Sequence, residues 1–288
     1  MTRDFMVGTS KLLLTGAPVV RTALLEAVQG VAAYAQSQVE NPDHESAVHE
    51  FRKSLRRLRS AARWVQDSRR DIDFQPLRNA LREVFQITNP LRDADVIDAI
   101  AESVRDLAPP HEFERLFPQE SSPNPIDVFG VLSRAASQLK GLVQQFEELL
   151  PHDLSVGDLE EGTRRLYRRC RRRRQAAIRD PIPATLHDFR KRTKELRYVV
   201  EAIASANTLA EPLEADLGLL AKRLGRVTDL ELLMSYLGVE TIWAVAVQEI
   251  MSSEFENAVK ESGHLFASSP AEFAYSLFLV PQGRWGTQ

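Results

Sequence analysis

Two stretches of this chain carry the side chains best suited to holding an anion. Val48-His49-Glu50-Phe51-Arg52-Lys53-Ser54-Leu55-Arg56-Arg57-Leu58-Arg59 aligns without a gap on Leu186-His187-Asp188-Phe189-Arg190-Lys191-Arg192-Thr193-Lys194-Glu195-Leu196-Arg197, at an offset of 138 residues. His, acid, Phe, Arg, Lys, base, Leu and Arg recur in the same order. Arg forks two oxygens of one anion, Lys offers a compact charge, and His donates one hydrogen bond when neutral and two when protonated. A weaker echo follows each copy, in Leu91-Arg92-Asp93-Ala94-Asp95-Val96 and Arg226-Val227-Thr228-Asp229-Leu230-Glu231-Leu232. The chain reads as a duplicated unit.

A helix is the element that positions these groups. Val48, Phe51, Leu55, Leu58, Ala62 and Val65 alternate in steps of three and four, an apolar seam. One residue along, His49, Arg52, Lys53, Arg56, Arg59 and Arg63 form a basic stripe beside it. In the second copy the stripe is His187, Arg190, Lys191, Lys194 and Arg197, beside Leu186, Phe189, Leu196 and Val200. Like charges three or four apart on a helix repel, so each stripe costs stability unless an anion neutralises it. Cations simply coating a surface helix are the plainer reading of one copy; two copies in one frame weaken it. A third basic element, 164–174, surrounds Tyr167 and Cys170 with arginines at every helical angle. Arg164 or Arg165, Arg168, Arg171 or Arg172, and Arg179 share a face; Arg165, Arg168 and Arg172 are taken as contributors.

Charge distribution supports an anionic partner where the net charge, −3, does not. Residues 49–70 and 164–197 hold 22 of the 37 Lys and Arg but 5 of the 40 Asp and Glu. Such segregation is an electrostatic footprint. The hydrophobic fraction of 43% suits a packed core, and the single cysteine, Cys170, suits a reducing compartment. The apolar run Leu12 to Leu14 is too short for a signal-peptide core, and no run of about 20 apolar residues exists to cross a bilayer. The expectation is a cytoplasmic protein without membrane contact.

Helical periodicity runs along most of the chain. It predicts helices over 21–39, about 43–65, 76–89 and 92–107. After a stretch with five prolines over 108–127 come 128–150, 158–179, 184–206, 213–223, 230–237 and 241–260. Residues 271–279 read as a short docking helix. The expected organisation is an N-terminal helical half (1–108), a Pro/Ser-rich linker (109–127), a C-terminal helical half (128–263) and a tail (264–288).

The doubled His-acid-Phe-Arg-Lys motif resembles the CHAD family, the conserved histidine α-helical domain. Leu91 to Val96, Leu224 to Leu230, and Tyr167-Arg168-Arg169 ahead of the second His helix resemble its further signatures. The resemblance spans roughly 21–260. It implies an all-α fold of two pseudo-symmetric helical bundles flanking a basic channel, which binds long-chain inorganic polyphosphate and in some bacteria associates with polyphosphate granules. Carried over by position, His49, Arg52, Lys53, Arg56, His187, Arg190, Lys191, Lys194 and Arg197 contact phosphates. Glu195 stands where the first copy has Arg57, and Glu201 where it has Arg63, which is expected to shorten the second stripe.

No cofactor and no catalysis are expected. Asp93/Asp95 and Asp229/Glu231 are the compact acid pairs available to a metal-dependent polyphosphate-processing enzyme, and they read more simply as helix-start and core-adjacent groups. No Gly-rich phosphate loop, nucleophile elbow or HExxH occurs. A nucleic-acid-binding protein is the other alternative, but it calls for exposed aromatics among the cations. Phe51 and Phe189 lie on the seams, leaving Trp64 near the first stripe. Chain-length preference and oligomeric state are not encoded in these patterns.

Overall fold

Three helix starts are set by side chains that accept from otherwise orphaned backbone N–H groups. Asp43 accepts from Ser46 (3.2 Å), Asp127 from Gly130 (2.8 Å) and Ser155 from Asp158 (3.1 Å). At the last of these the Asp158 carboxylate reaches back to the Ser155 N–H at 2.9 Å, closing a capping box. In a computed structural model of the chain, the described residues are 17–41, 43–89, 91, 99–108, 113–114, 127–204, 207–237 and 242–278. Their α-helices are α1 (Ala17–Ser37), α2 (His44–Ser68), α3 (Gln75–Ile87), α4 (Val128–Leu149), α5 (Val156–Arg179), α6 (Pro183–Ala204), α7 (Glu211–Met234), α8 (Ile242–Leu265) and α9 (Pro270–Phe278). The chain is all-α, and among the described residues there is no β-strand.

The two His helices, α2 and α6, pack on each other at the centre. Their seams are the core: Phe51, Leu55, Ala62, Val65, Phe189, Leu196 and Val200 are all fully buried. Each fully buried side chain of this size contributes about 1.5–3 kcal/mol. Helices α1, α3 and α5 surround α2, while α5 and α7 flank α6. The two expected halves interlock. Helix α4, from the second half, packs on α1 and α3, and Arg21 of α1 donates to the terminal carbonyls of α4, Glu147 O (3.1 Å) and Leu150 O (3.3 Å). In return, Ile100, Ala101 and Val104 join Leu230, Leu233 and Trp243 in a second apolar cluster. Phe113, within the stretch read as a linker, is buried there with its ring 5.7 Å from that of Trp243. Helix α9 docks on α5, where Tyr167 stacks on Phe273 (4.0 Å between ring centroids).

The helix predicted over 92–107 falls largely outside the described residues; 99–102 are helical and Arg105–Leu107 form a 3-10 turn. The predicted helices 213–223 and 230–237 are corrected to one continuous α7. Gly225 and Thr228 signal a break, but packing overrides it. Gly225 is buried beneath the Arg190 guanidinium, and the Thr228 hydroxyl donates back to Gly225 O at 2.9 Å. Asp229 and Glu231 consequently sit near the end of a long helix, not at a helix start. No helix among the described residues is long and apolar enough to cross a membrane.

The contact of α2 with α5 depends on a missing side chain. The Trp64 indole N–H reaches Leu159 O (3.0 Å) and Thr163 Oγ1 (2.9 Å), drawing the helices together beside Gly162. A Cβ on Gly162 would meet Trp64 O at 2.9 Å and Ser68 N at 3.0 Å, backbone that cannot give way. Gly162→Ala is expected to destabilise the fold by about 1–3 kcal/mol despite alanine's better helix propensity. Urea denaturation checks this, and an unchanged or raised stability refutes it.

Candidate functional site

The apolar seams bring the basic stripes of α2 and α6 to one side of the central helix pair. There they border a cleft of about 1160 Å³. From α2 come His49, Arg52 and Arg56, and from α6 come Arg190 and Lys194. Helix α7 adds Lys222, Arg223 and Arg226. Against these stand the carboxylates Asp229, Glu254 and Glu261. Apart from Ser103, the rest of the described wall is apolar, with Val48, Leu91, Ile100, Val128, Leu219 and Leu230.

The two equivalent arginines are anchored, each reaching across to the helix that follows its own. Arg52 is only 3% exposed, and its Nη1 donates to Thr88 Oγ1 (2.8 Å) and Asn89 Oδ1 (3.1 Å). Arg190 lies over Gly225 with Nη2 3.6 Å from Asp229. Phe85 of α3 carries three guanidiniums, with Arg52, Arg56 and Arg59 at 4.0, 5.2 and 6.0 Å from its ring centroid. Cation–π attraction helps to hold them together.

The carboxylates are engaged. Arg223 pairs with Glu254 (3.0 Å) and with Glu261 (2.7 Å), and Arg226 with Glu254 (3.5 Å). These pairs tie α8 to α7. Among the described residues, seven cations and His49 line the cleft together with three carboxylates. Both motif histidines titrate below the ordinary range. For His49 the first cause is desolvation, with Arg56, Lys53 and Lys194 adding repulsion and Glu50 opposing it. For His187 desolvation again leads, joined by Arg190, Lys191 and Lys194, with Asp188 opposing.

Of the fourteen expected anion-binding residues, His49, Arg52, Arg56, Arg190 and Lys194 line the cleft, and the other nine do not. His187 is exposed beside it. Lys53 turns back to Glu50 (3.2 Å), Arg63 pairs with Asp67 (3.3 Å), and Arg197 pairs with Glu214 (3.1 Å). Arg59 and Lys191 face each other around Glu195, farther along the helix pair. Arg165 binds Glu161 (2.8 Å) and the Asp67 carbonyl, while Arg168 and Arg172 point to solvent. The arginines of α5 are largely connectors: Arg169 pairs with Asp67, Arg171 donates to Ser268 O (3.2 Å) and Arg174 to Val259 O (2.8 Å). A run that covers every angle of a helix meets every neighbour, not one ligand. Glu201 does not shorten the cleft either. It pairs with Arg57 on the side facing α1, beside a small pocket that shares no residue with the cleft.

Lys222, Arg223 and Arg226 were missed by the motif, although Lys222 and Arg226 stand four apart, as neighbours on one helix face do. The helix break read at Gly225 hid that spacing. Phe85 falls within the helix predicted over 76–89, where nothing in the sequence marks a platform for cations.

A sequence model of the CHAD domain matches residues 22–238, most of the chain. No curated protein matches it.

The histidines give the unliganded fold a defined pH response. In the unfolded chain a histidine titrates near about 6.5. Both groups lie below their ordinary value in the fold, so as pH falls through that range the unfolded state takes up protons first and stability is lost. His49→Gln/His187→Gln should lose less stability than the parent between pH ~7.5 and ~5.5. Chemical denaturation at the two pH values measures it, and equal losses would rule out this contribution.

Proposed function

The chain belongs to the CHAD domain family, and on that premise we propose that it binds long-chain inorganic polyphosphate in the cleft between its two His helices and α7, without turning it over. The observation that carries this reading is the convergence, among the described residues, of seven cations from three helices on one cleft with three engaged carboxylates. Polyphosphate is a linear, sequence-free anion, so spacing of charge suffices to recognise it, and arginine forks suit its paired oxygens. Binding should release condensed cations and weaken with salt. Polyphosphate granules are the natural destination for such a protein.

The alternatives find less support. Single-stranded nucleic acid calls for aromatic platforms beside the cations. Phe51 and Phe189 are fully buried, Trp64 is 1% exposed with its N–H engaged, and no aromatic side chain lines the cleft among the described residues. For catalysis, Asp229 faces Arg190, and burial pushes the Glu231 carboxyl up, which makes it a poorer ligand for a metal. Asp93 and Asp95 lie outside the described residues.

The test is calorimetric titration with long-chain polyphosphate beside single-stranded RNA at equal phosphate concentration, at two salt levels. Tight, salt-sensitive polyphosphate binding is expected, with RNA much weaker. Arg56→Gln and Lys194→Gln should each lower polyphosphate affinity by about tenfold, the size of one lost charge-assisted hydrogen bond. They are better probes than Arg52, whose buried guanidinium also holds α3. Equal binding of both polymers would reduce the cleft to a generic polyanion surface, and no binding would end the proposal.

A further inference from the structure

Beyond the cleft, the stripe of α2 continues into a second group of cations. Arg59 shares the Phe85 ring with Arg56, so the two basic regions adjoin at that ring. From α3, Arg78 and Arg82 stand four apart on the face that carries Phe85, and the Arg78 Nη1 donates to Gln66 Oε1 of α2 at 3.0 Å. Arg82 and Lys191 of α6 each lie close enough to Arg59 to repel it.

Around these four cations the carboxylates are already taken. Asp67 pairs with Arg63 and Arg169, Glu195 with Arg192, and Asp188 with Arg173. Among the described residues no carboxylate makes an ion pair with Arg59, Arg78, Arg82 or Lys191. Arg78 is bound by the amides of Gln66 and Gln75, which bring no negative charge. Burial first, then the neighbouring Arg63, pull the Arg78 guanidinium down to about 10, and burial is also the first cause holding Arg59 and Lys191 low. A group of cations in this condition raises the free energy of the unliganded fold, and an anion relieves it.

We infer that Arg59, Arg78, Arg82 and Lys191 form a second phosphate-binding station, over which a polyphosphate chain held in the cleft continues past Phe85. The inference rests on the proposed polyphosphate reading and gives it a length requirement. Arg52 of the cleft and Arg59 of the second station are separated by about 10 Å along α2, at 1.5 Å per residue. A short oligophosphate occupies the cleft alone. A long chain engages both stations, and the second contact is intramolecular and so gains affinity without a second encounter.

The experiment compares tripolyphosphate with long-chain polyphosphate on the full chain, for the parent, Arg78→Gln/Arg82→Gln and Lys191→Gln. The variants should leave tripolyphosphate binding unchanged and weaken long-chain binding. The slope of log affinity against log salt should become shallower by about 0.7 for each cation removed. Their unliganded melting temperature should hold or rise, because repulsion is relieved; a purely structural role for these side chains predicts a fall. Loss of affinity for both lengths together, or for neither, overturns the second station while leaving the cleft in place. A parent that binds neither length overturns the cleft reading as well. Should the double variant fail to fold, Lys191→Gln, an exposed position, carries the comparison alone.

Discussion

Two cationic helices must lie against each other at the centre of this fold, and everything around them is arranged to make that tolerable. Repulsion between like charges on a helix surface costs only about 0.2–0.5 kcal/mol per pair. A fully buried Phe or Leu of the seam contributes about 1.5–3 kcal/mol. Phe51, Leu55, Phe189 and Leu196, all fully buried, therefore outweigh the stripes beside them. The apolar seam determines that α2 and α6 meet, and the stripe one residue along follows onto the cleft side. On the opposite side the helices are joined by Arg57 and Glu201, so one of the two carboxylates that seemed to interrupt the basic pattern instead fastens the crossing.

The same constraint explains where the acids are. Arg223 and Arg226 of α7 enter the cleft already matched with Glu254 and Glu261 of α8, whereas among the described lining residues α2 and α6 contribute no carboxylate. Among the described lining residues, Arg223 and Arg226 of α7 are thus matched by carboxylates of α8. An incoming polyanion also meets the field of the cations on the two His helices. Arg52 and Arg190 set the floor of that field, because each is anchored sideways and neither is at liberty to swing away.

The doubled motif made the central helices and their contact side readable from residue types alone, since an apolar seam and an adjacent polar stripe have few alternative placements. His49, Arg56, Arg190 and Lys194 follow directly from it. The depth of each side chain does not: Arg52 and Arg56 occupy one stripe, yet Arg52 is buried against Thr88 and Asn89 while Arg56 remains half-open. Helix α7 was harder for a different reason. Gly225 looks like a stop locally, and its role as the bed for Arg190 exists only once α6 is in place. The arginines of α5 mislead in the other direction, because composition reports their charge and not the carbonyls of Asp67, Val259 and Ser268 that Arg165, Arg174 and Arg171 hold.

Phe85 carries an implication of its own. An aromatic ring gathers Arg52, Arg56 and Arg59 where a glutamate would do the same more strongly. A glutamate, however, would screen the guanidiniums from any ligand and would itself be screened by dissolved ions. The ring is neutral, so its own hold on the arginines cancels none of their charge, and that hold varies little with ionic strength. It is a counterpart that never becomes a competitor, which keeps these three guanidiniums assembled in dilute and in salty surroundings alike.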